Sequence, residues 1–189
     1  MRVIAGSAGG VRLAVPKSGV RPTMDRVKAA IFSSLGGAII DARVLDLFAG
    51  SGALGIEALS RGAASVLFVE EDRQSTEAIE KNLAKTKLGG RVRRQEVFEF
   101  LRRSSGLERF QIIFADPPYE KTKSGERFTE KLLTNKELAR LLEFDGVFVL
   151  EKRPAEQTPA TKFWDIVRAR KYGATEVLFL RRPPSASMT

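Results

Sequence analysis

The stretch Asp46-Leu-Phe-Ala-Gly50-Ser-Gly52-Ala-Leu-Gly55 constrains this 189-residue chain more than any other. The residues before it, Val44 to Ala49, read as a buried strand, and Ala53 to Arg61 read as a helix that Gly62 ends. The glycines therefore fall where a strand feeds a helix. Gly50 and Gly52 let the backbone turn tightly and come close to a ligand, and Gly55 lets the helix lie against the strand. The next strand, Val66 to Glu70, ends on an acid 20 residues after Gly50, where a carboxylate grips a ribose diol. A G-x-G-x-x-G turn suits NAD, FAD and S-adenosylmethionine alike. Asp46 tilts the balance. A carboxylate four residues before Gly50 repels a pyrophosphate at this turn and suits a cationic amino group, such as the one in the methionine part of S-adenosylmethionine. Phe48 belongs to the same cofactor-binding loop.

Beyond Glu70 the strand–helix rhythm continues. A helix is predicted over 73–87, with Ile79 and Leu83 inward, a Glu77–Lys81 pair outward and Gly89-Gly90 as its stop. Val92 to Gln95 is a third strand, Phe98 and Leu101 start a short helix, and Ile112 to Ala115 is a wholly apolar fourth strand. Helical segments fill 126–143 before a fifth strand at Val147 to Leu150. Phe163 to Arg170 and Thr175 to Leu180 flank Tyr172-Gly173 as an antiparallel hairpin. This pattern predicts an α/β domain with a doubly wound, mostly parallel seven-stranded sheet over residues 43–182. Residues 1–42 form a small extension: a hairpin turning at Gly9-Gly10, then a helix capped by Thr23 that buries Val27, Ile31 and Leu35 and stops at Gly36-Gly37. Residues 183–189 read as a disordered tail.

Asp116-Pro117-Pro118-Tyr119 follows the fourth strand directly, and in such sheets ligands sit beyond the carboxyl ends of the strands. An exocyclic amine on a base is a poor nucleophile because its lone pair is delocalised into the ring. Acceptors aimed at its hydrogens restore that lone pair. The Asp116 carboxylate supplies one acceptor, the Pro117 carbonyl a second, and Tyr119 offers a face for stacking.

Composition narrows the chemistry further. With no cysteine and no histidine there is no thiol nucleophile, disulfide or histidine base, and no metal site is expected. The net charge of +9 favours a polyanionic partner. Residues 1–43 hold seven basic and two acidic side chains, a balance of +5. Arg2, Arg12, Lys17 and Arg21 are the candidate RNA contacts, on an arm expected to be flexible. No apolar run reaches the ~18 residues of a membrane span, and Arg12 and Lys17 interrupt any signal peptide. A cytoplasmic monomer without a membrane partner is the expectation.

The Asp46–Gly55 loop and Asp-Pro-Pro-Tyr together resemble the amino-methyltransferases of the class I, Rossmann-like fold. The resemblance spans nearly the whole chain. Met1-Arg-Val-Ile-Ala-Gly6, Gly10-Val-Arg-Leu13, Arg21-Pro-Thr-Met-Asp-Arg26-Val, Leu45 to Ala63, Asp116 to Tyr119 and Tyr172-Gly173 resemble the bacterial RsmD family of small-subunit ribosomal RNA guanine-N2 methyltransferases. That resemblance implies S-adenosylmethionine as cofactor, 16S rRNA or the assembled small subunit as partner, and the N2 amine of one guanine as target. It implies cofactor contacts from Thr23, Asp46, Gly50, Gly52, Glu70 and Asp116, and catalysis by Asp116, Pro117 and Tyr119. Glu96 stands where the family often has an aspartate at the adenine edge. An adenine-N6 methyltransferase, an NAD-dependent oxidoreductase and a non-catalytic RNA-binding module are the alternative readings.

Overall fold

The computed structural model describes residues 1–15, 25–104, 106, 108–118 and 127–184. Seven strands, β1 (Arg43–Leu47), β2 (Ser65–Glu70), β3 (Arg91–Arg94), β4 (Phe110–Ala115), β5 (Leu142–Lys152), β6 (Asp165–Tyr172) and β7 (Thr175–Arg181), form one sheet in the order β3-β2-β1-β4-β5-β7-β6. The pairings from β3 through β5 are parallel; β7 runs antiparallel between β5 and β6. The helices are α1 (Asp25–Leu35), α2 (Ala53–Ser60), α3 (Arg73–Thr86), α4 (Val97–Arg102), α5 (Phe128–Leu133) and α6 (Lys136–Leu141). The predicted class I architecture, including the closing hairpin, is the one observed.

Alternation along the strands sorts side chains onto two faces. Val44, Phe68, Ile112, Phe114 and Val149 pack beneath α1, α2 and α3. Leu45, Leu47, Val69, Ile113, Phe148 and Leu150 pack against α4, α5, α6 and Trp164. Gly55 has the role its position suggested: a Cβ there would lie 2.2 Å from the Phe68 ring, so only glycine lets α2 settle on β2.

The N-terminal segment departs from expectation in part. Residues 1–15 fold back on themselves as the expected hairpin: Val3 N–H donates to the Val11 carbonyl, Gly10 N–H to the Val3 carbonyl and Leu13 N–H to the Met1 carbonyl, with a ladder reduced to the single antiparallel bridge Arg2–Arg12. They are not a free arm. Val3, Ala8 and Leu13 are buried in the core beneath α1. The Ile4 and Ala5 N–H groups donate to Glu57, Ala8 N–H donates to Ser60 Oγ, and Asn82 both donates to and accepts from Ala14. Lys28, counted above among the surplus cations, is fully buried and pairs with Glu57 at 3.1 Å.

Smaller differences have local causes. α1 does not simply stop at Gly36; it tightens into a 3₁₀ turn over Gly36–Ile39. α3 ends at Lys87 in the left-handed conformation, before the predicted glycine stop. Glu77 pairs with Arg73 at 2.8 Å, on the preceding turn, and not with Lys81. β5 begins five residues early, where Leu142 pairs with Phe110 across a register shift. β6 starts at Asp165 because Trp164 turns inward onto Phe148, with centroids 5.0 Å apart. The Thr23 cap and the 185–189 part of the tail lie outside the described residues.

Candidate active site

β1 stops at Leu47 because the chain turns there. Phe48, Gly50 and Gly52 all have positive φ, at 55°, 55° and 77°. Glycine adopts this conformation freely, whereas at Phe48 it stores strain of about 1–3 kcal/mol, as at many ligand sites. Acids pin the loop. Gly50 N–H donates to Glu70 Oε2 at 2.8 Å, and Asp72 N–H donates to Glu70 Oε1 at 2.9 Å. Gly55 N–H donates to Asp46 Oδ2 at 2.9 Å. Asp46 is 2 % exposed, and its carboxyl is pushed up to about 8. Burial away from water is the main cause. The Gly55 N–H opposes it, and the Asp116 and Glu70 charges add to it.

The strand register aligns the other acids with Asp46. Asp46 pairs with Phe114, Leu47 with Ala115, and Ala115 with Leu150. Asp116 and Glu151 are thus the next residues on β4's path and on β5. By alternation, Glu70, Asp46, Asp116 and Glu151 all belong to the face that carries Phe68, Val44, Phe114 and Val149. Four carboxylates from four adjacent strands thus share one face at the carboxyl end of the sheet. Asp116 is half-buried and Pro117 buried. Glu151 was missed in the sequence, although it follows the apolar run Val147 to Leu150 as Asp116 follows Ile112 to Ala115. It is 3 % exposed, and among the described residues its Oε1 is buried without a hydrogen-bond partner. Burial holds its carboxyl well above the usual range, and the Asp116 and Asp46 charges reinforce this. Among the described residues no group of three or more acids is arranged to hold a metal ion.

Glu96 is committed locally. Its Oε1 and Oε2 accept from Phe98 N–H at 2.8 Å and Glu99 N–H at 2.7 Å, capping α4. Beside it stands an aromatic group the sequence did not reveal. The Phe48 ring lies 6.2 Å from Phe98 and 5.5 Å from Phe128, and Phe98 and Phe128 are nearly parallel. These rings come from β1's end, α4 and α5, segments far apart in sequence.

Arg2 and Arg12 are brought together by their bridge, and both are exposed. Arg2 also lies 3.5 Å from Asp25. Lys17, Arg21, Thr23 and Tyr119 lie outside the described residues, as does the polar stretch 120–126.

Comparison with known proteins agrees with this geometry. The family model described as "Conserved hypothetical protein 95" matches residues 1–181. A Bacillus subtilis (strain 168) protein named "Putative rRNA methyltransferase YlbH" is 39% identical over 96% of this chain and 99% of its own length. The Escherichia coli (strain K12) "Ribosomal RNA small subunit methyltransferase D" is 45% identical over 64% of this chain and 61% of its own. Among solved structures, a Thermus thermophilus 16S rRNA N2 methyltransferase (RsmC), in complex with AdoMet and guanosine, superposes with a TM-score of 0.64 at 26% identity. It covers 88% of this chain and 45% of its own. The chain belongs to the RsmD family of S-adenosylmethionine-dependent methyltransferases.

Proposed function

We propose that this protein methylates ribosomal RNA of the small subunit, transferring the methyl group of S-adenosylmethionine to the exocyclic N2 amine of a guanine. The observation that carries the reading is the shared face of Asp46 and Asp116 on neighbouring strands. One acid suits a cationic cofactor and the other suits an amine beside it. The names of the Escherichia coli relative and of the guanosine-bound Thermus thermophilus structure support the substrate class.

The residues present fit the cofactor. Asp46 is a buried acid held near neutral by its surroundings; a cation beside it favours its charged form, so binding releases a proton. Glu70 already orders the loop through Gly50 and Asp72, and each of its oxygens keeps a lone pair for a ribose hydroxyl. Glu96, drawn back onto α4, is in the proposal a secondary adenine contact, with Phe48 as an apolar wall. S-adenosylmethionine supplies a methyl group on a sulfonium, already activated for transfer. The protein's own work is then orientation, worth up to ~7–11 kcal/mol. Asp116 and the Pro117 carbonyl accept the two amine hydrogens and so restore the nitrogen lone pair, while Tyr119 stacks on the base. The base must be unpaired or flipped to reach the pocket.

The test incubates 16S rRNA or immature small subunits with labelled cofactor and identifies the methylated nucleoside by mass spectrometry. N2-methylguanosine is expected. Asp116→Ala should keep its melting behaviour and most of its S-adenosylhomocysteine affinity, while turnover falls about 10²- to 10³-fold, the scale of losing one aligned acceptor or donor. N6-methyladenosine as the sole product would overturn the choice of base.

A further inference from the structure

Glu151 is the buried acid that the mechanism above leaves unused. It sits at the end of β5, one residue beyond the Ala115–Leu150 pair, and so beside Asp116. Its cross-strand partner on β7 is Val177, which is apolar and buried. The next residue, Lys152, is committed elsewhere: its Nζ lies 2.9 Å from Glu176 and donates to the carbonyls of Arg153 and Glu156. Oε1 of Glu151 is left buried and unpartnered. A buried carboxyl oxygen without a protein donor costs stability. The position makes sense if a ligand brings the missing donor.

The chemistry of the two candidate bases says which donor. In guanine the N2 amine is flanked by a ring N–H at N1. In adenine the N6 amine is flanked by a bare N1 lone pair. In its ionised form a carboxyl beside Asp116 therefore complements guanine and repels adenine, whereas the protonated form, which burial favours at Glu151, also offers a donor to adenine N1; the discrimination requires that Glu151 ionise when the base binds. Neither Asp116 nor Pro117 makes this distinction, since both address only the amine.

We propose that Glu151 is a specificity-determining residue, whose carboxylate accepts the N1–H of the target guanine while Asp116 and Pro117 hold its N2 amine. The proposal rests on the guanine reading and deepens it. Adenine in the same pose sets its N1 lone pair against the Glu151 oxygen. Two like-signed groups then meet with no water between them, and the amine is not delivered.

The experiment uses the full chain with 16S rRNA or immature small subunits, and compares the parent with Glu151→Met and Glu151→Gln. Methionine keeps the length of the side chain and removes both acceptors; glutamine keeps one carbonyl. Both variants should melt at or above the parent temperature, and both should bind S-adenosylhomocysteine within about 2-fold of the parent. On RNA, kcat/KM should fall about 5- to 150-fold for Glu151→Met, the range for one good base-edge pairing, and less for Glu151→Gln. If the parent makes N2-methylguanosine and a well-folded Glu151→Met matches it, the assignment is overturned while the proposed function stands. A parallel loss of S-adenosylhomocysteine binding would overturn it by moving Glu151 to the cofactor. Lower melting of both variants would overturn it by making the residue structural. A parent that yields only N6-methyladenosine removes the guanine reading and the proposal together.

Discussion

Glu57 and Glu151 are both glutamates buried in the same domain, and their surroundings are opposite. Glu57, on α2, is fully buried and accepts from four donors. Lys28 Nζ and Ile4 N–H reach Oε2, and Arg61 Nε and Ala5 N–H reach Oε1, at 2.7–3.1 Å. Arg61 also lies over the Phe32 ring at 5.0 Å, and Lys28 donates onward to the Arg2 carbonyl. Glu151 has an unpartnered oxygen and two acids nearby. One region is a closed polar network that fastens residues 1–15 and α1 onto α2. The other is an open row of acids at the carboxyl end of the sheet. Satisfied charge fastens the scaffold here, whereas the acid row keeps buried polar groups of the kind a ligand can complete.

Breaking the closed network should have the largest effect. Glu57→Ala leaves Lys28 buried without its counter-charge and frees the Ile4 and Ala5 N–H groups, at a cost of about 3–5 kcal/mol. Thermal or urea unfolding measures it. A loss below ~1 kcal/mol would show that the network is not what holds the N-terminal segment.

The open row should respond to pH in the opposite sense to a salt bridge. The Asp46 carboxyl is held at about 8 in the fold against its ordinary value of 3.8. Between those values the folded chain holds a proton that the unfolded chain releases. Stability is therefore greatest below pH 4 as far as this group goes, falls as pH rises, and levels off above pH 8. The slope is at most about 1.4 kcal/mol per pH unit. Asp46→Asn does not titrate and should flatten that part of the profile, while binding S-adenosylhomocysteine more weakly. An identical pH–stability curve in the two proteins would contradict the burial of this acid.

The smallest effect concerns the surface of the closed region. Removing residues 1–15 would take Val3, Ala8 and Leu13 out of the core, so truncation tests folding rather than RNA contact. Arg2→Gln with Arg12→Gln is the sharper change, because both side chains are exposed. If each meets a phosphate of single-stranded RNA, the log–log salt slope of binding should become shallower by about 1.4. An unchanged slope would assign the two arginines to the scaffold alone.

Much of the fold was legible in the chain because two strong periodicities alternate in it. Apolar strands such as Ile112 to Ala115, amphipathic helices such as α3, and the glycines at the first turn each read locally. The acids Asp46, Glu70 and Asp116 were legible for the same reason: each sits at the end of an apolar strand, next to a turn signal. Glu151 carried the same mark without a Pro-Pro or Gly-x-Gly beside it, and passed as the polar end of a strand.

The local sequence was enough for the class of fold, the glycine turn after β1 and the position of Asp116-Pro117 at the end of β4, because spacing along one strand or helix decides which side chains share a face. Partnership across the chain was not readable in this way. That Lys28 is a buried counter-ion and not a surface cation depends on Glu57, 29 positions away. That Phe48, Phe98 and Phe128 meet depends on three separate elements. That Glu151 stands unpaired beside Asp116 depends on the register of β4 against β5. Each of these follows from how elements dock, and docking is set by the summed burial of many apolar residues rather than by the residues whose charges it brings together.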